Sequence, residues 1–291
     1  MSYLKIIEDL EEDVRSVKDW LQKQQHLPQN IDDTILRRFI LSCNRSLEKT
    51  KQVIDLCYTI RSQAPEIFAN RDILSPAMQH IIRLGDVLPL PRTTNKNYKL
   101  ILFRVANKST DNFVFSDVLK IILMVADVRL VSEFEIADGE IPIFDMSGMS
   151  LQHLTKVTLP ALRKYMMYTQ EAHPVRLKAI HVINTPVFLD KMMMLVKPLL
   201  KGEVAAMMYF HSNVDSLNKY VPRELLPEEY GGKAGKLADI KAEWYAKLLE
   251  YREYMLDDFR WRVNESKRPG NNQNKKSLFG IEGSFRSLSI D

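Results

Sequence analysis

One stretch of the sequence determines the predicted fold. It has three parts: YKLILFRV at residues 98–105, SDVLKIILMVADVRLV at 116–131 and IPIFDM at 141–146. Its outer parts are short apolar runs typical of buried strands, and its middle part is long enough for an apolar helix. Two strands joined through such a helix form a crossover connection, which parallel neighbours in a sheet require. The stretch therefore predicts an α/β domain with a largely parallel or mixed sheet.

The same alternation continues towards the C-terminus. Residues 151–171 are predicted to form one or two helices broken near Pro160, and residues 177–183 to form a strand. A helix over residues 186–200 and a last strand over residues 207–211 follow. These elements complete the predicted α/β domain.

The N-terminal part of the chain is predicted to be wholly helical. The first helix is amphipathic, with apolar residues at spacings of three and four: Leu4, Ile7, Leu10, Val14, Val17 and Leu21. Asp32 and Asp33 are suited to cap a second helix, and Ser46 a third. The proline-rich motif Pro89-Leu90-Pro91 then marks a change of periodicity.

Three regions follow from these patterns. Residues 1–80 form a helical region, residues 81–250 form the α/β domain, and residues 251–291 comprise the end of a C-terminal helix and a polar tail. The tail contains the run KRPGNNQNKK at residues 267–276, which has too few apolar residues to fold alone. We therefore expect it to be mobile.

Composition excludes several classes of protein. Lysine and arginine number 41 against 37 aspartate and glutamate residues, so the net charge is only +4, and a nucleic-acid binder is not indicated. Cys43 and Cys57 are the only cysteines, which fits a reducing compartment better than a disulfide framework. The N-terminus resembles neither a signal nor a transit peptide, so a cytoplasmic protein is expected.

Catalytic and metal-binding motifs are not recognisable in the sequence. The segment GGKAGK at residues 231–236 resembles a phosphate-binding loop, but Tyr230 and Leu237 occupy positions that such a loop needs for glycine and for serine or threonine. The six histidines include no pair at the His-x-x-x-His spacing of a zinc site. We therefore expect no enzyme, no cofactor and no metal.

The predicted helix after Asn184 is unusual in composition. Thr185 is a suitable N-cap and Pro186 a suitable first residue. At ~100° per residue, Phe188, Leu189, Met192, Met193, Leu195 and Val196 share one side, opposite Asp190, Lys191 and Lys197, with Met194 among the polar residues. Two interpretations remain: a core helix with one exposed methionine, or a lid over a cavity for a flexible apolar ligand.

Four segments in order carry a resemblance to a known family. They are IPIFDMSG at residues 141–148, IHVINTP at 180–186, KP at 197–198 and LPEEYGG at 226–232. In this order and spacing they are similar to the CRAL-TRIO family, in particular to its branch of tocopherol-transfer and retinaldehyde-binding proteins. The resemblance implies a helical region followed by a mixed sheet that floors a hydrophobic cavity closed by a helical lid.

The resemblance also implies which residues contact a ligand. The lid would supply Phe188, Leu189, Met192 and Leu195, and the rest of the cavity Leu119, Ile122, Ala126, Phe144, Val157, Tyr165, Tyr168, Thr169 and Ile180. Arg176 and Lys178 match two positions of a basic cleft that binds phosphoinositide headgroups. Leu41, Glu203 and Met207 occupy other positions of that cleft, so the cleft is incomplete.

The resemblance implies a function without catalysis. The expected activity is binding and intermembrane transfer of a single small lipid, namely a retinoid, a tocopherol-like isoprenoid or a carotenoid. The alternatives are a phospholipid or phosphoinositide exchanger and a signalling module that contacts membranes or proteins. The expected partners are the lipid and, transiently, an anionic membrane surface. We expect a monomer that is cytoplasmic, peripheral to membranes and free of nucleic acid.

Overall fold

The computed structural model describes residues 3–269 and residue 278. Five helices open the fold: α1 (Tyr3–Leu21), α2 (Asp33–Ser42), α3 (Leu47–Gln63), α4 (Pro65–Phe68) and α5 (Pro76–Leu84). The predicted apolar side of α1 is buried at Leu10, Val14, Val17 and Leu21, and it joins α2 and α3 in one hydrophobic cluster. Asp32 and Ser46 are the N-cap residues, as predicted, but their side chains do not bond to the helix.

The second part of the chain contains a mixed sheet of five strands. The strands are β1 (Gly85–Thr93), β2 (Tyr98–Val105), β3 (Gly139–Asp145), β4 (Ile180–Ile183) and β5 (Met208–Phe210), in spatial order β1-β2-β3-β4-β5. β1 is antiparallel to β2, and every other pair is parallel. The sheet prediction from residues 98–146 is therefore confirmed.

Helices connect and cover these strands. They are α6 (Phe115–Ser132), α7 (Leu151–Thr155), α8 (Leu159–Glu171), α9 (Leu189–Val196), α10 (Gly202–Ala205), α11 (Leu237–Glu250) and α12 (Arg252–Leu256). Helix α6 packs against α4, α5 and α11. Helix α11 also packs on β1: its Lys241 pairs with Asp86, and its Trp244 donates its indole N–H to the carbonyl of Pro89 at 3.0 Å.

One strand was not predicted. The motif Pro89-Leu90-Pro91, interpreted as a boundary, lies inside β1, which is an edge strand. Proline is tolerated there because an edge strand can leave a missing N–H on its free side. The predicted boundary at residue 80 falls inside α5, whose buried Met78, Ile81 and Leu84 join the core of the sheet.

The C-terminal segment packs back onto the N-terminal helices. Trp261 is 4% exposed, and Arg268 donates two hydrogen bonds to the Asp55 carboxylate, at 2.8 and 2.9 Å. The backbone N–H of Val263 donates to the Ser62 hydroxyl at 2.8 Å. Residues 262–268 are thus anchored, including Arg268 at the start of the predicted mobile tail, and Leu278 of that tail donates its N–H to Gln63 Oε1 at 3.1 Å. Residues 270–277 and 279–291 of the tail lie outside the described residues.

Two kinds of feature are absent from the described residues. None of the helices within residues 3–269 combines the length and apolar character needed to cross a membrane. Over the same part of the chain, no three histidine, cysteine, aspartate or glutamate side chains are grouped to hold a metal ion.

Candidate functional site

A row of apolar side chains crosses the sheet on the face opposite α11. Phe103, Phe144, Val182 and Phe210 are register partners on β2, β3, β4 and β5, so their side chains point to the same face. A second row, two residues earlier, consists of Ile101, Pro142, Ile180 and Met208. Phe103 and Phe144 stack with ring centroids 4.7 Å apart. These two rows form an apolar floor.

The other face of the sheet is ordinary core. Its strand residues Leu100, Leu102, Ile141 and Ile143 are buried in the same cluster as Ile240, Trp244 and Leu248 of α11. The floor differs, because Phe103, Pro142, Phe144, Ile180 and Met208 all remain half-buried. Apolar strand residues that keep accessible surface on one face of a sheet are suited to line a ligand site.

Helix α9 packs loosely against the rest of the protein. Its apolar side, from Phe188 to Val196, contains only half-buried residues, and none of its residues is buried. The predicted polar side is exposed, with Met194 76% exposed. A core helix would bury several of these side chains completely, so the loose packing favours the interpretation of α9 as a lid.

The start of α9 differs from the prediction. The helix begins at Leu189 with Phe188 as its N-cap, rather than at Thr185-Pro186. Thr185 lies in the connection that precedes the helix, and its N–H donates to the carbonyl of His211 at 3.2 Å. This hydrogen bond holds Thr185 in the connection after β4, so Thr185 does not cap the helix.

Both ends of α9 are tied to neighbouring elements. At the N-terminal end, Asn184 adopts a φ of 52° and donates its amide to Asp145 Oδ1 at 2.9 Å. At the C-terminal end, the Gln170 amide donates to the Leu199 carbonyl at 3.0 Å and accepts from the Lys201 N–H at 2.8 Å. The helix is thus held at its two ends and packed loosely along its length.

Most of the residues expected to contact a ligand share one property. They are half-buried, which is what the wall of an enclosed space requires: Ile122, Ala126, Phe144, Val157, Tyr165, Thr169, Ile180, Phe188, Leu189, Met192 and Leu195. They lie on α6, α8, β3, β4 and the lid and in the connections next to α8 and α9.

Leu119 and Tyr168 differ from the expectation. Leu119 is 3% exposed and Tyr168 is 0% exposed, and both lie in the core of the helical region. The Tyr168 hydroxyl accepts a hydrogen bond from Arg61 at 2.7 Å. Side chains without accessible surface cannot touch a ligand, so neither residue lines the site. Phe103, Met208 and Phe210, which the sequence analysis missed, belong to the floor.

A separate cavity of about 290 Å³ lies between the N-terminal helices and the start of β3. Arg37, Arg38, Arg129 and Arg176 line it together with Asp138 and Glu140, and Leu41 contributes to its wall. Arg176 donates to the Leu41 carbonyl, and its buried Nε has no hydrogen-bond partner among the described residues. Lys178 is exposed beside this cavity, with its amine 5.3 Å from the ring centre of Tyr98.

Comparison with known proteins identifies the family. Residues 85–232 match the CRAL/TRIO domain family, and residues 6–78 match the Pinta-like UBA domain family. The first match covers half of the chain, so the chain belongs to the CRAL/TRIO family, which is a family of lipid-binding and lipid-transfer proteins.

The individual relatives are similar to this chain only at low sequence identity. The alpha-tocopherol transfer protein-like protein of Mus musculus is 26% identical over 249 residues, which cover 85% of this chain and 71% of that protein. Clavesin-2 of Rattus norvegicus is 22% identical over 263 residues, covering 88% and 80%. The crystal structure of Sfh5 aligns with 84% of this chain and 98% of its own, at 15% identity and a TM-score of 0.48.

Proposed function

We propose that this protein binds one small hydrophobic lipid between the sheet floor and α9 and transfers it between membranes without catalysis. Two observations carry the proposal: one face of the sheet keeps half-buried apolar side chains, and the apolar helix α9 buries none of its residues. A ligand would fill that space and complete the packing of both layers. The proposed wall consists of the half-buried residues named above, together with Phe103, Met208 and Phe210.

The proposed ligand is a retinoid, a tocopherol-like isoprenoid or a carotenoid. Long apolar skeletons suit a floor of aromatic and aliphatic side chains, and the flexible Met192 and Met193 can adapt to an irregular shape. A C20 skeleton with about 450 Å² of apolar surface gains roughly 11 kcal/mol on burial, before the costs of association. Nanomolar to low micromolar affinity is therefore expected. The name of the Mus musculus relative agrees with this ligand class.

The proposed membrane contact is electrostatic. Lys178, Lys191, Lys197 and Lys201 are exposed, and three of them lie on or next to the lid. Each can contribute up to about 1 kcal/mol near an anionic surface. A protein that works peripherally at membranes in the cytoplasm would use such a contact to bring the lid to the bilayer.

A second candidate function is phosphoinositide or phospholipid exchange. The cavity that contains Arg176 favours it, because guanidinium groups bind phosphates and the Nε of Arg176 is unpaired. Against it, Arg129 is already paired with Glu133 and Glu140, at 3.0 and 2.8 Å. Little positive charge is therefore left for a multiply charged headgroup.

Native mass spectrometry of protein purified from its own tissue tests the proposal. A bound isoprenoid recovered by extraction is the expected result, and a bound phospholipid would favour the second candidate. Titration with a C20 isoprenoid provides the independent measurement. If neither lipid is recovered and every hydrophobic ligand binds more weakly than about 100 μM, which corresponds to ~5.5 kcal/mol, the protein has no dedicated pocket and a signalling role takes precedence.

A further inference from the structure

Three of the four segments that carry the family resemblance meet at one carboxylate, that of Asp145 in IPIFDMSG. Its Oδ2 accepts a hydrogen bond from the Tyr230 hydroxyl of LPEEYGG at 2.6 Å, and its Oδ1 accepts one from the Asn184 amide of IHVINTP at 2.9 Å. The backbone N–H of Ser147 also donates to Oδ1, at 2.9 Å. Asp145 is 5% exposed and Tyr230 is 9% exposed, so the contact is shielded from water.

The Asp145 carboxylate is ionised at physiological pH. Burial alone would raise its pKa, but the hydrogen bonds from Asn184 and Tyr230 outweigh burial and hold the pKa below its ordinary value. Hydrogen bonds to an ionised acceptor are roughly twice as strong as those between neutral groups. The carboxylate can therefore hold both of its side-chain partners in fixed positions.

Asn184 is the residue at which the chain leaves the sheet for the lid. The pairing of β3 with β4 ends at Asp145 and Ile183, and α9 begins at Leu189. Asn184 has a φ of 52°, a left-handed conformation that few residues other than glycine and asparagine adopt. Hinges are residues at the ends of elements that absorb a change of backbone conformation. A movement of α9 about its N-terminal end would change the backbone at or next to Asn184, and the bond to Asp145 opposes that change.

We propose that Tyr230 and Asp145 are positioning residues that hold Asn184, the hinge of the lid, and thereby set how fast the protein takes up and releases lipid. The Tyr230 hydroxyl fixes the orientation of the carboxylate, and the carboxylate fixes the Asn184 amide. The inference rests on the proposed function, since it requires that α9 opens. None of the three residues belongs to the proposed wall, so they act on the opening of the lid and not on contacts with the ligand.

The network should affect the rates of lipid exchange and leave the affinity unchanged. The bond between Asp145 and Asn184 breaks when the lid opens, whether or not a lipid is bound, so its loss makes entry and exit easier alike. The association and dissociation rate constants then rise by the same factor. The dissociation constant is the ratio of the two and stays constant. A variant that only damages the pocket would instead weaken the affinity.

Stopped-flow fluorescence with retinol and with α-tocopherol, which both fluoresce, measures the two rate constants. Asn184→Gly removes the amide and still permits a positive φ. We expect this variant to accelerate association and dissociation about ten-fold, the effect of one hydrogen bond to a charged group, and to change the Kd by less than about two-fold. Tyr230→Phe should accelerate both steps about three-fold, because Asp145 keeps its other hydrogen bonds.

The double variant distinguishes positioning from an independent effect. If Tyr230 acts only through Asp145 on Asn184, adding Tyr230→Phe to Asn184→Gly should give no further acceleration, since residues of one hydrogen-bond network are not additive. Independent effects would multiply to about thirty-fold. That result would overturn the positioning role of Tyr230.

The chain offers a matched control for each variant. Asn97 has a φ of 55° and donates its amide to Asp138 Oδ2 at 3.1 Å, but it lies in the turn between β1 and β2. The hydroxyl of Tyr245, on α11, accepts a hydrogen bond from the Gln79 amide at 3.1 Å. Asn97→Gly and Tyr245→Phe make the same chemical changes away from the lid and should leave both rate constants unchanged. Acceleration by either control would indicate general loosening of the fold and would overturn the hinge.

Failure of the pocket and failure of the hinge give different results. If neither retinol nor α-tocopherol binds the wild-type protein, the proposed function fails, and this inference fails with it. If they bind and Asn184→Gly leaves both rate constants unchanged, or changes only the affinity, the pocket exists and Asn184 is not its hinge. Unfolding of Tyr230→Phe, detected by circular dichroism, would show that its hydroxyl is part of the core, which overturns its positioning role.

Discussion

Arg61 donates two hydrogen bonds to the carboxylate of Asp127, and both side chains are buried. Arg71 donates to the same carboxylate, so two guanidinium groups share one negative charge. The ring of Trp261 lies 4.5 Å from both guanidinium carbons. Asp127 belongs to α6 and Trp261 to the C-terminal segment, so this cluster joins three parts of the chain in one buried contact.

Asp127→Asn should destabilise the protein strongly. The substitution leaves two buried guanidinium groups without a counter-charge, and breaking a buried pair in this way costs about 3–5 kcal/mol. Urea unfolding followed by circular dichroism gives the free energy of unfolding. Glu203→Gln, at an exposed carboxylate, is the control and should change it by less than about 0.5 kcal/mol. A loss below 1 kcal/mol for Asp127→Asn would mean that the cluster has little role in stability.

Trp261→Ala should destabilise the N-terminal helical region. It removes a buried ring together with its contacts to Arg61 and Arg71, and such truncations cost about 3–5 kcal/mol. Phe259→Ala is a matched control two residues away, because Phe259 is 93% exposed. The same urea titration compares the two variants. Equal stability would indicate that the C-terminal segment only lies on the surface.

Stability should fall as the pH decreases from 6.5 towards 4. Burial, together with the adjacent His211, lowers the pKa of His181 to about 4, whereas an unfolded histidine titrates near 6.5. The unfolded chain therefore takes up the proton first, and protonation shifts the equilibrium towards unfolding over that interval. His181 Nδ1 lies 3.0 Å from His211 Nε2, between Tyr209 and Tyr220.

The test compares the urea midpoint between pH 7.5 and 4.5 in wild type and His181→Phe. The variant should lose part of the pH dependence, since His181 is one of the titrating groups. The remainder has another source, because burial also lowers the pKa of His173 to about 4. Parallel pH curves for wild type and variant would exclude a contribution from His181.

The sequence predicted which helices and strands form more accurately than the residues at which they begin and end. Residues 98–105, 116–131 and 141–146 have patterns long and uniform enough to identify β2, α6 and β3. β1 was missed because its prolines resemble a linker, and only its position at the edge of the sheet makes them acceptable. The start of α9 was misplaced because the pairing of Thr185 with His211 joins residues far apart in the chain.

The site was predictable only in part, for a physical reason. Core and pocket wall have the same composition, so a pattern cannot separate Leu119 from Ile122, three residues away on α6. The resemblance assigned Tyr168 to the pocket, and its hydrogen bond with Arg61, 107 positions earlier in the chain, could not be recognised in the sequence. Phe103 required the strand register, which places it beside Phe144. The register depends on tertiary contacts that one sequence does not reveal.

The basic residues should make membrane binding dependent on charge. The double substitution of Arg176→Ala and Lys178→Ala should reduce binding to anionic vesicles by up to about 30-fold, since each contributes at most about 1 kcal/mol. Co-sedimentation at low and high salt measures this effect. Lys49→Ala, at an exposed lysine of α3, is the control. Equal binding to neutral and anionic vesicles at both salt concentrations would mean that these side chains only solubilise the protein.

Charges on α9, the proposed lid, should block lipid transfer. Replacing Met192 and Leu195 by aspartate places charges on the half-buried side of α9, where both the closed pocket and an acyl environment are apolar. Each charge costs a few kcal/mol in either setting, so transfer between vesicles should fall sharply. The fold should persist, because α9 buries no residue that the core needs.

A matched control places the same charges where the protein already meets water. Leu74 is 52% exposed and Leu249, on α11, is 37% exposed, so the pair Leu74→Asp and Leu249→Asp should leave transfer unchanged. Fluorescence transfer between donor and acceptor vesicles gives the rate, and circular dichroism reports folding. Unfolding of the α9 double variant would identify the helix as core, and a normal transfer rate would place the gate elsewhere. Loss of transfer in a folded protein is the outcome that loose packing of α9 predicts, because only a helix outside the core can accept two charges and still block the pocket.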